Sequence, residues 1–222
     1  MSLSEAADAL QAGDPGRAEH LLRQLPEAEA QALPALCLLA LSLAAQGRHD
    51  DALPLFRELT RREPMEVEHW TNLAAAQRAV GDLDGAITAF QAALERGGDH
   101  WGLHHPMGLV LLAAKQYQGA MGALVRALEL EPDNMETRVA LAQAFIELGE
   151  PKDAASLLVG WKDRIGANAD LIVDIARLAL RVGGVPAAVD ALETALARVP
   201  DHAEAARLLA QIRARLGLRP NA

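Results

Sequence analysis

Aromatic side chains are scarce in this chain: three Phe, three Trp and one Tyr among 222 residues. Cysteine occurs once, at Cys37, which excludes an intramolecular disulfide. Lysine occurs three times, at Lys115, Lys152 and Lys162, and the formal net charge is −9. That balance disfavours phosphate-backbone binding, which needs clustered Lys and Arg, so no nucleic-acid partner is expected. No apolar run reaches 18 residues, and the apolar stretch Leu33–Ala45 is too short to span a bilayer, so no membrane insertion is expected. Met1–Leu10 carries acidic residues and no basic stretch ahead of an apolar core. It does not read as a signal peptide, and a cytoplasmic location is expected. Phosphate-binding glycine loops, H-E-x-x-H and C-x-x-C are all missing. Nothing assembles a nucleophile, a base and an orienting group. No catalytic residue is assigned, no cofactor or metal site is expected, and the chain does not read as an enzyme.

What is present is a period. Ala18, Ala52, Ala86, Ala120, Ala154 and Ala188 stand 34 residues apart. A fixed period of 20–50 residues marks a repeat architecture. With that alanine numbered 20 in each repeat, position 8 is small throughout: Ala6, Ala40, Ala74, Gly108, Ala142, Ala176 and Ala210. Position 7 is large and apolar from Leu39 to Leu209, and position 24 reads Leu22, Phe56, Phe90, Leu124, Leu158, Leu192. Position 15 is glycine in five of six repeats (Gly13, Gly47, Gly81, Gly149, Gly183). Position 32 is Pro or Gly in five of six (Pro64, Gly98, Pro132, Gly166, Pro200). No insertion interrupts the register from Gly13 to Ala210.

These columns predict two helices per unit, each of about 13–14 residues and roughly 20 Å long. Glycine at 15 supplies positive φ and proline at 32 removes an N–H, so both stop helices. Small residues at 8 and 20 let paired helices approach closely, and large ones at 7 and 24 fill the space between units. Asp14, Asp84, Asp99, Asp133 and Asp201 stand where helix N-termini are expected and suit capping or the dipole. Strand-like alternation is absent.

The columns resemble the tetratricopeptide repeat, whose pattern is Trp-x2-Leu-Gly-x2-Tyr in the first helix, then Ala-x3-Phe-x2-Ala and a Pro. The third repeat matches with Trp70, Leu73, Ala74, Ala86, Phe90 and Ala93; the fourth with Ala120, Leu124, Ala127 and Pro132; the fifth adds Phe145. The resemblance covers about residues 4–216. It implies an all-α, right-handed α-solenoid of six 34-residue repeats in a single domain, 1–222. The repeats fall at about 1–32, 33–66, 67–100, 101–134, 135–168 and 169–202. A capping helix is expected at 203–216, with Leu208, Leu209, Ile212 and Leu216 facing the last repeat and Arg207, Arg213 and Arg215 turned outward. Residues 203–222 hold four Arg and one Glu, a local net of +3 (4 − 1), which reads as a solvated end cap or, secondarily, a contact for an acidic partner. The acidic overall charge weakens the rival class of 35-residue helical repeats that read RNA base by base.

In stacked helix pairs the first helices line the concave side. The resemblance implies ligand-facing side chains at positions 2, 5, 9, 12 and 13. The candidate groove residues are Leu41, Asn72, Arg78, His105, Leu109, Leu112, Val139, Gln143, Ile146, Val173, Arg177, Leu180 and Arg181. Their apolar members would form a stripe for an amphipathic helix or extended segment. The alternative is that curvature buries several of them between adjacent first helices. Some family members hold a partner's C-terminal carboxylate in a basic clamp, but none of the three lysines falls in the groove columns. Arg177 and Arg181 have Asp174 and Glu147 at hand, so an ion-pair network is the preferred reading of them.

Other residue groups have plain structural readings. Cys37 suits a small apolar role on a first helix. His100 and His104 are four apart, but Pro106 suggests a late helix start that spoils the spacing for a metal. Trp70, Trp101 and Trp161 share no repeat position. The function expected is therefore a non-enzymatic scaffold that binds a protein, peptide or helix of unknown identity. Two readings stand beside it: the arm of a larger enzyme or secretion or assembly complex, and self-assembly of the chain into a homo-oligomer. The first repeat begins part-way into its first helix, so the sequence also suits a piece of a longer protein.

Overall fold

A computed structural model describes residues 3–166 and 168–217. Residues 218–222 of the basic tail, and Met1 and Ser2 of the N-terminal segment, lie outside the described residues. The chain divides into two compact units, Met1–Leu103 and His104–Ala222.

The first unit begins with α1 (Leu3–Gln11), α2 (Pro15–Arg23) and the single turn α3 (Glu27–Ala30). Two full pairs follow: α4 (Leu33–Ala45) with α5 (His49–Arg62), and α6 (Val67–Ala79) with α7 (Leu83–Gly97). α8 (Trp101–Ala113) spans the boundary between the units. The second unit continues with α9 (Tyr117–Leu130), α10 (Met135–Glu147), α11 (Pro151–Leu157) and the turn α12 (Trp161–Arg164). It ends with α13 (Ala169–Arg181), α14 (Val185–Arg198) and α15 (Ala203–Arg215). No strand occurs among the described residues. Nor is any helix among them long and apolar enough to cross a membrane.

Helix lengths follow the punctuation. Every position-15 glycine takes the left-handed conformation, with φ between 75° and 84°. Position 15 of the fourth repeat is Lys115, and it adopts φ 58°, the one positive φ outside glycine among the described residues. The turn geometry is thus imposed on a residue that pays for its Cβ there. The alanine column is sealed: Ala18, Ala52, Ala86, Ala120 and Ala188 are 0 % exposed and Ala154 1 %. Position 24 packs beside it, with Phe56, Phe90, Leu124 and Leu192 all buried.

Capping differs from the sequence expectation by a residue or two. Asp14 accepts from the Arg17 N–H at 2.9 Å, as expected. Elsewhere the caps are Asp82, Asn134, Asn168 and His202, whose side chains accept from Gly85, Thr137, Leu171 and Ala205. Asp84 lies inside the first turn of α7, where the dipole favours it. Pro106 does not delay α8, which begins five residues earlier at Trp101. The helix loses one backbone bond at that proline but is held by tertiary packing of Leu103, His105 and Val110. His100 precedes α8 and His104 lies within it, so the two do not share a helix face.

One second helix departs from the register. Residues 151–164 should form a continuous helix, but α11 stops at Leu157, Gly160 takes φ 71°, and α12 restarts at Trp161. Trp161 stands in the column that reads Leu25, Leu59, Ala93, Ala127 and Ala195 in the other repeats, of which Leu59 and the three alanines are 0 % exposed. A slot filled elsewhere by at most a leucine side chain cannot accept an indole without displacing backbone. The chain leaves the helix, and Leu158 becomes half-buried while Leu124 and Leu192 stay sealed.

α15 runs over Ala203–Arg215, within the expected capping segment. Leu209 and Ile212 are buried and Leu208 half-buried, but Leu216 is 54 % exposed because it follows the last helical turn. Arg207 pairs with Glu204 and Arg213 with Glu193, so two of the outward arginines are neutralised within the chain.

Candidate functional site

The predicted groove residues divide by burial. His105 (8 % exposed), Leu112 (9 %), Val139 (7 %) and Val173 (2 %) are packed inside. Leu41, Asn72, Leu109, Ile146 and Leu180 are half-buried, and Arg78, Gln143, Arg177 and Arg181 are exposed. The apolar stripe is therefore narrower than the columns suggest, since neighbouring first helices close over its deepest members.

In the first unit, α4 and α6 carry Leu41, Asn72 and Arg78. The Asn72 Nδ2 and the His69 Nδ1 are buried without a hydrogen-bond partner. His69 Nε2 lies 2.9 Å from a Glu63 carboxylate oxygen. The Trp70 indole N–H donates to the Pro64 carbonyl at 2.9 Å, and the Arg96 guanidinium sits 4.8 Å from the Trp70 ring centroid while donating to the same carbonyl. Trp70 is thereby fixed as a structural clasp. Burial, with the charges of Glu68 and Glu63, pushes the Cys37 thiol above its ordinary pKa. That shift disfavours the thiolate, which is the nucleophilic form.

In the second unit, His105 Nδ1 lies 2.9 Å from the Thr137 hydroxyl, which in turn donates to the Asn134 side-chain oxygen at 3.0 Å. Burial lowers the His105 pKa, against the opposing charge of Glu136. His105 thus ties α8 to the N-terminus of α10 and does not face an open groove.

α10 and α13 present an open cavity of about 290 Å³ lined by Val139, Gln143, Asp174, Arg177, Leu178 and Arg181. Four of the candidate residues, Val139, Gln143, Arg177 and Arg181, are brought together here. They come from first-helix positions 5, 9 and 13, which lie one turn apart along one helix face. Arg177 donates to Asp174 at 2.7 Å and to Glu204 at 2.8 Å, and Arg181 pairs with Glu147 at 2.8 Å. Hydrogen bonds from Arg207 and then Arg177 hold the Glu204 carboxyl down at about 2, well below the usual carboxylate range. The arginines are committed to partners in the chain, as the sequence reading preferred. The cavity floor is a paired-charge network with apolar walls, not a bare cationic clamp. Leu178 lies outside the groove columns, and only the packing of α13 on α10 brings it to the wall. Leu41, Asn72 and Arg78 belong to the first unit and are not part of this cavity.

Paired helices with sealed small-residue columns and glycine turns define a helical-repeat protein. Family profiles described as tetratricopeptide repeat match residues 37–100 and 173–222, and 111–164. The chain belongs to the tetratricopeptide repeat family. Solved structures agree on the fold. A tetratricopeptide repeat protein from Parabacteroides merdae superposes with a TM-score of 0.81 at 17 % identity, over 97 % of this chain and 85 % of that one. YrrB, described as a tetratricopeptide protein with an unusual peptide-binding site, gives 0.60 at 20 % identity, over 80 % of this chain and 91 % of its own. A thermophilic tetratricopeptide protein of Thermus thermophilus gives 0.65 at 20 % identity, over 82 % and 98 %.

Proposed function

We propose that the chain is a non-enzymatic protein-interaction scaffold, and that the face of α10 and α13 receives a peptide or helix of the partner. The supporting observation is the cavity that gathers Val139, Gln143, Arg177 and Arg181 from two consecutive first helices. The family is a protein-interaction module, and YrrB is described as having a peptide-binding site. Exposed Gln143 can donate to and accept from a peptide backbone, and Val139 and Leu178 supply the apolar walls beside it. Rigid stacked helices present these groups without an ordering cost when the partner arrives.

A photo-crosslinking residue placed at Gln143, and separately at the exposed Gln91 of α7, tests the reading. Defined adducts formed from position 143 and none from position 91 are expected. Equal adduct patterns from both places would remove the α10–α13 face as the binding surface.

A further inference from the structure

The broken second helix of the fifth repeat borders a space lined by apolar side chains. Between α11–α12 and α13–α14 lies a half-open cavity of about 290 Å³. Its principal walls are Ile146, Leu158, Trp161, Ile175, Leu178 and Val182, and the remaining lining is alanine, glycine and Val159. No charged side chain lines it, and the Trp161 indole N–H is the sole hydrogen-bonding side-chain group on its walls. Val159 stands at its edge, 73 % exposed. Lys162, next to Trp161, is engaged elsewhere: its ammonium is 2.6 Å from Asp190 and 5.6 Å from the Trp161 ring centroid.

The origin of the space is local and specific. Trp161 is the largest residue of its column, and Gly160 beside it takes the left-handed turn at which the helix breaks. The displaced ring then forms a flat aromatic wall facing aliphatic side chains of α13 and α14. A cavity of about 150 Å³ with such a lining holds benzene, so about 290 Å³ suits a bicyclic body of about ten heavy atoms. The lack of polar partners excludes a charged ligand, whose desolvation would go uncompensated. It also argues against an extended peptide chain, whose N–H and C=O groups would lie unsatisfied against these walls.

We propose that this cavity is a binding site for an uncharged, aromatic small molecule that packs on the Trp161 ring. The site is separate from the α10–α13 face, although Leu178 contributes to both, so either assignment can fail alone.

Indole is the probe, added to full-length protein carrying labelled isoleucine methyl groups and followed by NMR. Saturable shifts are expected at Ile146 and Ile175, with Ile87 of the first unit unmoved. Ala155→Phe, an exposed position on the cavity wall, should weaken indole at least tenfold while leaving the thermal midpoint near that of the parent. Trp161→Ala should weaken it as much, and circular dichroism establishes that each variant is folded. Indole-3-acetate should bind at least tenfold more weakly than indole. Linear, unsaturated shifts, or shifts that both variants leave intact, overturn the proposal. So does tighter binding of N-acetyltryptophanamide than of indole, which would make the cavity a socket for a partner's side chain.

Discussion

The second helices of the third and fifth repeats occupy the same register and end differently. α7 runs unbroken for 15 residues, with Ala86, Phe90 and Ala93 sealed along one face. The equivalent stretch of the fifth repeat has Ala154, Leu158 and Trp161 on that face, and it divides into helices of 7 and 4 residues. Alanine at the first of these places is shared, and Leu158 matches Leu124 and Leu192 in intact repeats. The third residue is the largest of a column that elsewhere holds at most leucine, and Gly160 precedes it where the second, third, fourth and sixth repeats carry Glu58, Ala92, Arg126 and Thr194. A repeat array tolerates variation outside its close contacts but has no spare volume where helix axes approach.

Transplanting the bulk gives the largest effect. Ala93→Trp in α7 should cost about 2–3 kcal/mol by overpacking, read as a lower urea midpoint. A cost below about 0.5 kcal/mol would mean that column size does not explain the break. The reverse exchange, Trp161→Ala with Gly160→Ala, should rejoin α11 and α12. A rise in helicity by circular dichroism and a gain of about 1 kcal/mol are expected from removing a helix-interior glycine. A loss of stability would instead assign Trp161 a net packing role.

The turn between paired helices supplies a milder contrast. Lys115→Gly should stabilise by up to about 1 kcal/mol, because φ 58° suits glycine and strains lysine. Gly81→Lys, at φ 84°, should lose a similar amount in the same denaturation assay.

The smallest effect is on pH dependence. Position 5 of the first helices reads Cys37, Thr71, His105, Val139 and Val173, and histidine is the member that titrates near neutrality. Burial lowers the His105 pKa, so the unfolded chain takes up its proton first as pH falls below about 6.5. Stability from this group is therefore full above that pH and declines below it, until the folded form is protonated too. His105→Leu should flatten the dependence of thermal midpoint on pH between 7 and 5. An unchanged slope would mean that another group carries it.

Much of the fold was legible. The alanine column, the glycine turns and the helix lengths all followed from residue types at fixed spacing. Asp14 caps and Asp84 stands in the first turn as expected, whereas at α10 and α15 the cap falls one residue later, on Asn134 and His202, because Asp, Asn and His compete for neighbouring N-cap sites and the winner depends on where the chain enters the helix. The start of α8 was misread because proline's local penalty is smaller than the packing of the residues around it. The candidate site was half legible. Position numbers found Gln143, Arg177 and Arg181, and the ion pairs with Asp174 and Glu147 were foreseeable from their spacing. That curvature would bury several groove residues was open in the sequence, but that these are Leu112, Val139 and Val173 was not legible, since it depends on how closely the next first helix approaches.

The sequence by itself determined the period, the two helices per unit and the places where each chain turn must bend. Those features rest on short-range sterics, on missing Cβ atoms and missing N–H groups, and they act wherever the residue stands. The tertiary structure alone decided which inner residues stay exposed, and that Trp161 lines a cavity. Both depend on the volume left by side chains about 34 residues away, and no single column of residue types records that volume.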